Sequence, residues 1–490
     1  MKLKHNKILL TIIVAILFAI AGCDSSVISN TGQLQFKNPL NIPPLLEPTV
    51  DAEGTKHFTL TMQEGTTQFF PGKETKTWGI NGSYLGPTIR VKSGDRVSFH
   101  VENQLNEETT LHWHGMHLPA VMDGGPHQMI EAGATWSPYW TINQPAATTW
   151  YHPHLHGKTA LHVYRGLAGM FIIEDKDSEK LPSDYGVNDI PLIIQDKLIA
   201  NNGKLIEKVD NEPFGLMGNT ILVNGTYDPY LEVTESQIRF RLLNGSNARA
   251  YHIGFADGRT FQLVANDAGL LNEPVELDRL MLSPGERAEI VVEFQPGEET
   301  ILRSFQGDNG IDQNEFEFVK IIAAENLIEK EAIPEVLTDN PPITPPEHAK
   351  TRTFTLTMDS KINGKEMDMN RIDEVVPANT TEIWEITNIG WDHNFHIHDA
   401  VFQVLDINGK KPPIYARGRK DTVYIPGGAT VRIAVQFGEY TDPNHPLMYH
   451  CHLLLHEDKG MMGQFVIVEP GTEEQVPEFL ETGDKIKHHE

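Results

Sequence analysis

The chain has 490 residues but only two cysteines, Cys23 and Cys451. With so few, no disulfide framework is implied. Basic residues are scarce too: 40 Lys and Arg stand against 67 Asp and Glu, a formal net charge of −27 at pH 7. That balance argues against nucleic acid as a partner, and the acidic surface, which would attract cations, reads first as a means of staying soluble. Long helical periodicity is lacking, so a helical fold is set aside. Only one long apolar run stands out, Ile8 to Ala19, preceded by Lys2, Lys4 and Lys7. A basic start followed by a short apolar core reads as a signal peptide.

What is present is alternating and rich in turns. Hydrophobic residues make up 39%, with 40 Gly and 31 Pro. Runs such as Thr-Ile-Arg-Val, Arg-Val-Ser-Phe-His-Val and Arg-Ile-Ala-Val-Gln-Phe alternate as half-buried strands do. The expected fold class is all-β, and the length suggests about three domains. A repeat supports that number. Ile80-Asn81-Gly82, Val223-Asn224-Gly225 and Ile362-Asn363-Gly364 each open a similar passage, and each passage has a strand ending at an asparagine: Asn103, Asn244 or Asn388. The Pro-rich segment Asn340 to Pro346 reads as a linker between the second and third units.

The histidines carry the chemistry. Four His-x-His pairs occur: His112 and His114, His152 and His154, His396 and His398, and His450 and His452, the last bracketing Cys451. In a strand, such a pair puts both imidazoles on one face and the residue between them on the other. Cys451 could therefore hold one metal while His450 and His452 reach others, a covalent wire between two sites. His393, His456 and Met461 stand near in sequence. A thiolate, imidazoles and a thioether are the usual ligands of a blue copper electron-transfer site. A lone His-x-His is weak evidence, but four such pairs use eight of the 22 histidines. The middle repeat, with Tyr251-His252-Ile253, has no such pair and reads as a spacer between the outer two.

These motifs, their order and the threefold repeat together resemble the three-domain bacterial multicopper oxidases, of the copper-efflux oxidase and spore-coat laccase kind. The run from His450 to Met462 is especially close. The resemblance implies three tandem cupredoxin-like Greek-key β-sandwich domains, at 51–178, 179–328 and 351–472, with 329–350 as a linker and 473–490 as a tail. It also implies about four copper ions. The type 1 copper would take Cys451, His393, His456 and axial Met461. The type 2 copper would take His112 and His396. Of the type 3 pair, one would take His114, His152 and His452, the other His154, His398 and His450. Electrons from a small reducing substrate would pass through Cys451 to the cluster, where dioxygen becomes water. Asp123 and Glu457 fall where relatives place acids that relay protons, with structural support of the ligands as the alternative.

Ile20-Ala21-Gly22-Cys23 resembles the lipobox of bacterial lipoproteins, against an ordinary cleaved signal with an incidental cysteine. It implies removal of residues 1–22, a lipid anchor at Cys23, a tether over 23–50 and an extracytoplasmic, membrane-attached monomer.

The donor is less legible. Metal-ion oxidation in copper tolerance is placed ahead of oxidation of phenols, with a non-enzymatic scaffold as the remote alternative. No long Met-rich insert is present, and Ile389-Gly390-Trp391-Asp392 lacks the Asp/Met pair of copper-efflux relatives. Two groups could substitute with soft donors: Met358, Met367 and Met369, and Met116, His117, Met122, His127 and Met129. Filling gaps in the core is their ordinary alternative. Asp392 is either a guide for the donor or a plain loop carboxylate.

Overall fold

A computed structural model describes residues 28–208 and 212–480. The signal peptide, Cys23 and the last ten residues of the tail lie outside the described residues. Among the described residues strands far outnumber the few short helices, and they are arranged as three β-sandwiches in tandem. The first pairs a six-stranded sheet built on Lys56–Phe70 and Arg96–Asn103 with a four-stranded sheet of Ile89–Lys92, Gly169–Glu174, Ala147–His152 and His112–His114. The second packs a six-stranded sheet on a seven-stranded one. In the third, a four-stranded sheet faces the five strands Glu374–Pro377, Met462–Val468, Leu447–His450, His393–Ile397 and Thr422–Ile425. Each sandwich has its own apolar core.

The repeat in sequence is a repeat in hydrogen bonding. Asn81, Asn224 and Asn363 all adopt positive φ, at 56°, 50° and 52°. Asparagine tolerates this left-handed conformation because its short polar side chain can bond locally. Each Oδ1 here accepts from a main-chain N–H of a preceding strand: Thr61 at 2.7 Å, Ile193 at 2.8 Å and Thr355 at 2.7 Å. Those strands run parallel to the ones ending at Asn103, Asn244 and Asn388. The terminal asparagines repeat as well. Each accepts from the N–H two residues on, at Leu105, Ser246 and Gly390.

Two expectations change. Residues 28–50, assigned to a tether, are laid on the fold. Asn38–Pro39 pairs in parallel with Pro229–Tyr230, Leu40 enters the core of the second sandwich, and Asn30 exchanges hydrogen bonds with the main chain of Glu317. Only the stretch up to Gln35 is polar, and the apolar residues that follow, Leu40 among them, tie the segment down. The linker is also held: Leu337 is fully buried and the Ile343 N–H donates to Gln403. No helix among the described residues is long and apolar enough to cross a membrane.

Candidate metal centres

Cys451 follows the strand Leu447–His450, and His393 opens the neighbouring strand His393–Ile397. Because strand residues alternate between faces, His393 shares a face with Phe395 and Ile397, which enter the core of the third sandwich. His456 arrives from the short helix Leu454–Asp458. Cys451 Sγ lies 3.5 Å from His393 Nδ1 and 3.6 Å from His456 Nδ1, and the two nitrogens are 3.0 Å apart. A triangle of this size suits three bonds of about 2.0–2.3 Å to one metal ion. Met461 is buried in the same core. Its N–H donates to the His456 carbonyl, and its own carbonyl accepts from Cys451 N–H at 3.1 Å.

His450 and His452 look the other way, into a second cluster. Trp113 fills the core of the first sandwich, so His112 and His114 point outward. His396 and His398 do the same on either side of Ile397. The two pairs meet face to face. His112 stacks on His398 with ring centroids 3.9 Å apart, and His114 on His396 at 3.7 Å. The remaining two pairs close the cluster, His154 Nε2 lying 3.0 Å from His450 Nε2 and the His152 and His452 rings 5.3 Å apart. Three triads can each converge on one ion: His112, His114 and His396; His114, His152 and His452; His154, His398 and His450. All eight imidazoles are buried, four from the first sandwich and four from the third.

The donor atoms fit metal ions. Nε2 of His112 and of His396, and both ring nitrogens of His452, are buried without a hydrogen-bond partner. Such atoms cost free energy unless something takes their lone pairs. Burial, reinforced by neighbouring imidazoles, holds His114, His152, His154, His396, His398 and His450 well below the ordinary histidine pKa. It lowers His393 and His452 to about 3 and His456 to about 4. Neutral imidazole is the metal-binding form. Burial also pushes the bare Cys451 thiol up to about 12.

Acids lie against the outer nitrogens of these rings, and Asp123 holds two of them by hydrogen bonds, an arrangement that orients metal-binding histidines. Asp123 Oδ2 lies 2.8 Å from His398 Nδ1, and the Asp123 carbonyl accepts from His112 Nδ1 at 2.9 Å. Glu457 sits between two rings, 3.3 Å from His154 Nδ1 and 3.3 Å from His450 Nδ1. Its pKa is raised well above the usual value, first by burial.

Three further supports were not read from the sequence. Asp421 Oδ1 lies 3.1 Å from His114 Nε2 and is itself bound by Arg287 of the second sandwich. Asn394 Oδ1 accepts the His452 N–H at 2.6 Å, while its Nδ2 donates to Pro284 of the second sandwich. Gly285, at φ 84°, leaves room for the His452 ring, which a Cβ there would meet at 3.1 Å. The middle unit is thus a wall of the site as well as a spacer. Only the Asn394 position, between two histidine signals, carried a local hint.

The residues considered for the donor separate. Met116 is buried in the first core and Met122 packs against it. His117 bridges Asp399 and Glu439, and His127 pairs with Gln464. Met358 is 61% exposed, and Met367 and Met369 are half-buried. Asp392 Oδ1 accepts from the Tyr424 hydroxyl at 2.8 Å and from the Gly427 N–H, so this carboxylate holds its loop.

Family models described as multicopper oxidase match residues 61–178, 191–314 and 340–471. The chain is 39% identical to multicopper oxidase mco of Staphylococcus aureus, over 90% of this chain and 95% of that protein. It is 37% identical to the cell division protein FtsP of Escherichia coli, over 91% and 96%. A solved laccase-like multicopper oxidase from Ochrobactrum, with oxidase activity towards lignin model compounds, superposes with a TM-score of 0.81 at 40% identity, covering 88% of this chain and all of that one. A match that runs through all three sandwiches makes this chain a member of the copper-binding multicopper oxidase family.

Proposed function

We propose that the chain is a four-copper oxidase that takes single electrons at the Cys451 site and reduces dioxygen to water at the eight-histidine cluster. The carrying observation is the continuity of His450-Cys451-His452, whose cysteine faces one ligand set and whose histidines face the other. In this reading Cys451, His393, His456 and Met461 hold a type 1 copper, and His112 and His396 a type 2 copper. His114, His152 and His452 hold one type 3 ion, and His154, His398 and His450 the other. Bound copper supplies the one-electron redox chemistry and the site where dioxygen is reduced.

The chain's own groups supply the rest. Cys451 joins the two sites through one peptide unit on either side. Glu457, buried between the Nδ1 atoms of His154 and His450 and favouring its protonated form, is placed to deliver protons. Asp123 lies against His398 and His112 and is positioned for the same task. The signal-peptide pattern and Cys23 support export and lipid attachment.

Among donors, an aromatic reductant is the better fit, because the Phe214 ring lies beside His456 and the exposed Trp391 indole beside Phe214. The thioethers of Met358, Met367 and Met369, outside the core, favour Cu(I) as a second reading. A scaffold role, raised by the likeness to FtsP, leaves ten clustered histidines without a use.

Oxygen uptake by the copper-loaded protein decides among these readings. Faster uptake with dimethoxyphenol than with Cu(I) is expected. The reverse order would assign a metallo-oxidase, and no uptake with either would defeat the oxidase reading.

A further inference from the structure

Three of the eleven large apolar side chains exposed among the described residues lie together beside the Cys451 site. Ile389 is 62% exposed, Trp391 51% and Met358 61%. Gly390 permits the grouping, since a Cβ on it would come within 2.8 Å of Met358 Cγ. Single exposed apolar side chains are ordinary, but a contiguous group marks a place where something binds.

The group leads inward through rings. Trp391 meets Phe214 edge-on with centroids 6.2 Å apart, and Phe214 lies 6.4 Å from the ring of His456. Phe214 comes from the second sandwich and is itself buried, so it bridges the exposed indole and a residue of the thiolate site. More direct approaches are taken. His456 Nε2 donates to the Pro213 carbonyl at 2.8 Å, leaving that nitrogen no hydrogen bond for a donor. Asp392 Oδ1 is engaged by both Tyr424 and Gly427, which fixes the loop that carries Trp391.

The geometry points to the Trp391–Met358–Ile389 surface as the docking site of an aromatic donor, with Phe214 as the contact through which its electron reaches His456. This rests on reading the Cys451 site as the electron acceptor. A phenol would stack on the Trp391 indole, give up one electron along the Trp391–Phe214–His456 file to the Cys451 site, where bound Cu(II) would serve as the one-electron acceptor, and release its hydroxyl proton to solvent. The phenoxyl radical then leaves. No ring of the file is itself oxidised.

The test uses the full copper-loaded chain and separates binding from turnover. Binding of dimethoxyphenol is measured without oxygen, on protein reduced beforehand, by saturation-transfer NMR. Trp391→Ala is expected to weaken binding about tenfold and to raise KM for the phenol in parallel, with Trp391→Phe recovering most of the loss, as a stacking contact requires. Tyr139→Ala, which removes another exposed ring far along the chain, is the control and should change neither quantity. Unchanged binding and unchanged KM in Trp391→Ala would overturn the docking site and leave the oxidase standing. Weakened binding in that variant, with a wild-type protein that takes up no oxygen on any donor, would keep the docking site and defeat the oxidase.

Discussion

Arg287 and Asp421 meet through two parallel hydrogen bonds, Nη1 to Oδ1 at 2.7 Å and Nη2 to Oδ2 at 2.5 Å, with both side chains fully buried. The same Asp421 oxygen faces His114 Nε2, so arginine, aspartate and histidine join the second, third and first sandwiches at one point. The Arg287 Nε–H also donates to the Thr148 carbonyl of the first sandwich at 3.0 Å. Such a pair orients His114 so that Nδ1 points into the cluster, 3.4 Å from His152 Nε2.

Arg287→Met should therefore leave a buried carboxylate without its cation, at a cost of roughly 3–5 kcal/mol. The expected outcome is a lower thermal midpoint and a cluster that fills with copper incompletely, while the visible absorption of the Cys451 site persists. Copper content per chain and EPR check this, and a variant with full copper and an unaltered spectrum would show that the pair is structural only.

Cys451→Ser removes the thiolate shared by both roles of the segment. The blue absorption should vanish and oxygen uptake fall to background, with copper still bound by the histidine cluster. An oxygen electrode and copper analysis on the purified variant are sufficient. Full oxidase activity would disprove the electron route.

Glu457→Gln keeps the shape between His154 and His450 but removes the proton. Uptake of oxygen at saturating donor should drop about a hundredfold, with the Cys451 absorption unchanged. A solvent isotope effect on the wild-type rate that the variant alters would distinguish proton delivery from simple support of the rings.

Acid stability should be set partly away from the metals, at Glu289. Burial works against its charge, but Arg239 and Arg241 outweigh it and lower the pKa from 4.5 to about 2. A lowered folded-state pKa contributes stability above the unfolded value that is lost as pH falls through the folded one. Here the window runs from about pH 4.5 down to about 2, with roughly 3 kcal/mol at stake. Thermal melts over that range should show a steep decline that Glu289→Gln flattens, at the cost of lower stability near neutrality.

The fold was legible because its cues are local. Each repeat announces itself with an asparagine that must take positive φ and another that closes a strand, and both recur at matching places. The histidine pairs were legible for the same reason, since strand alternation puts their side chains on one face. Arg287 and Asp421 were not. They are 134 residues apart in sequence, and nothing in Pro284-Gly285-Glu286-Arg287 distinguishes a buried ligand support from an ordinary strand arginine. The Trp391 patch was hidden because exposure is a property of the folded surface, and Phe214, which connects it inward, belongs to another sandwich.

The histidine cluster draws four of its rings from the first sandwich and four from the third. Neither half alone contains the eight-ring cluster, and the cysteine between its last two rings belongs to the half synthesised last. A partly made or broken chain therefore has no assembled eight-histidine centre. Dividing the site in this manner makes its assembly a late event, since the eight-ring cluster exists only once both outer sandwiches are folded against each other.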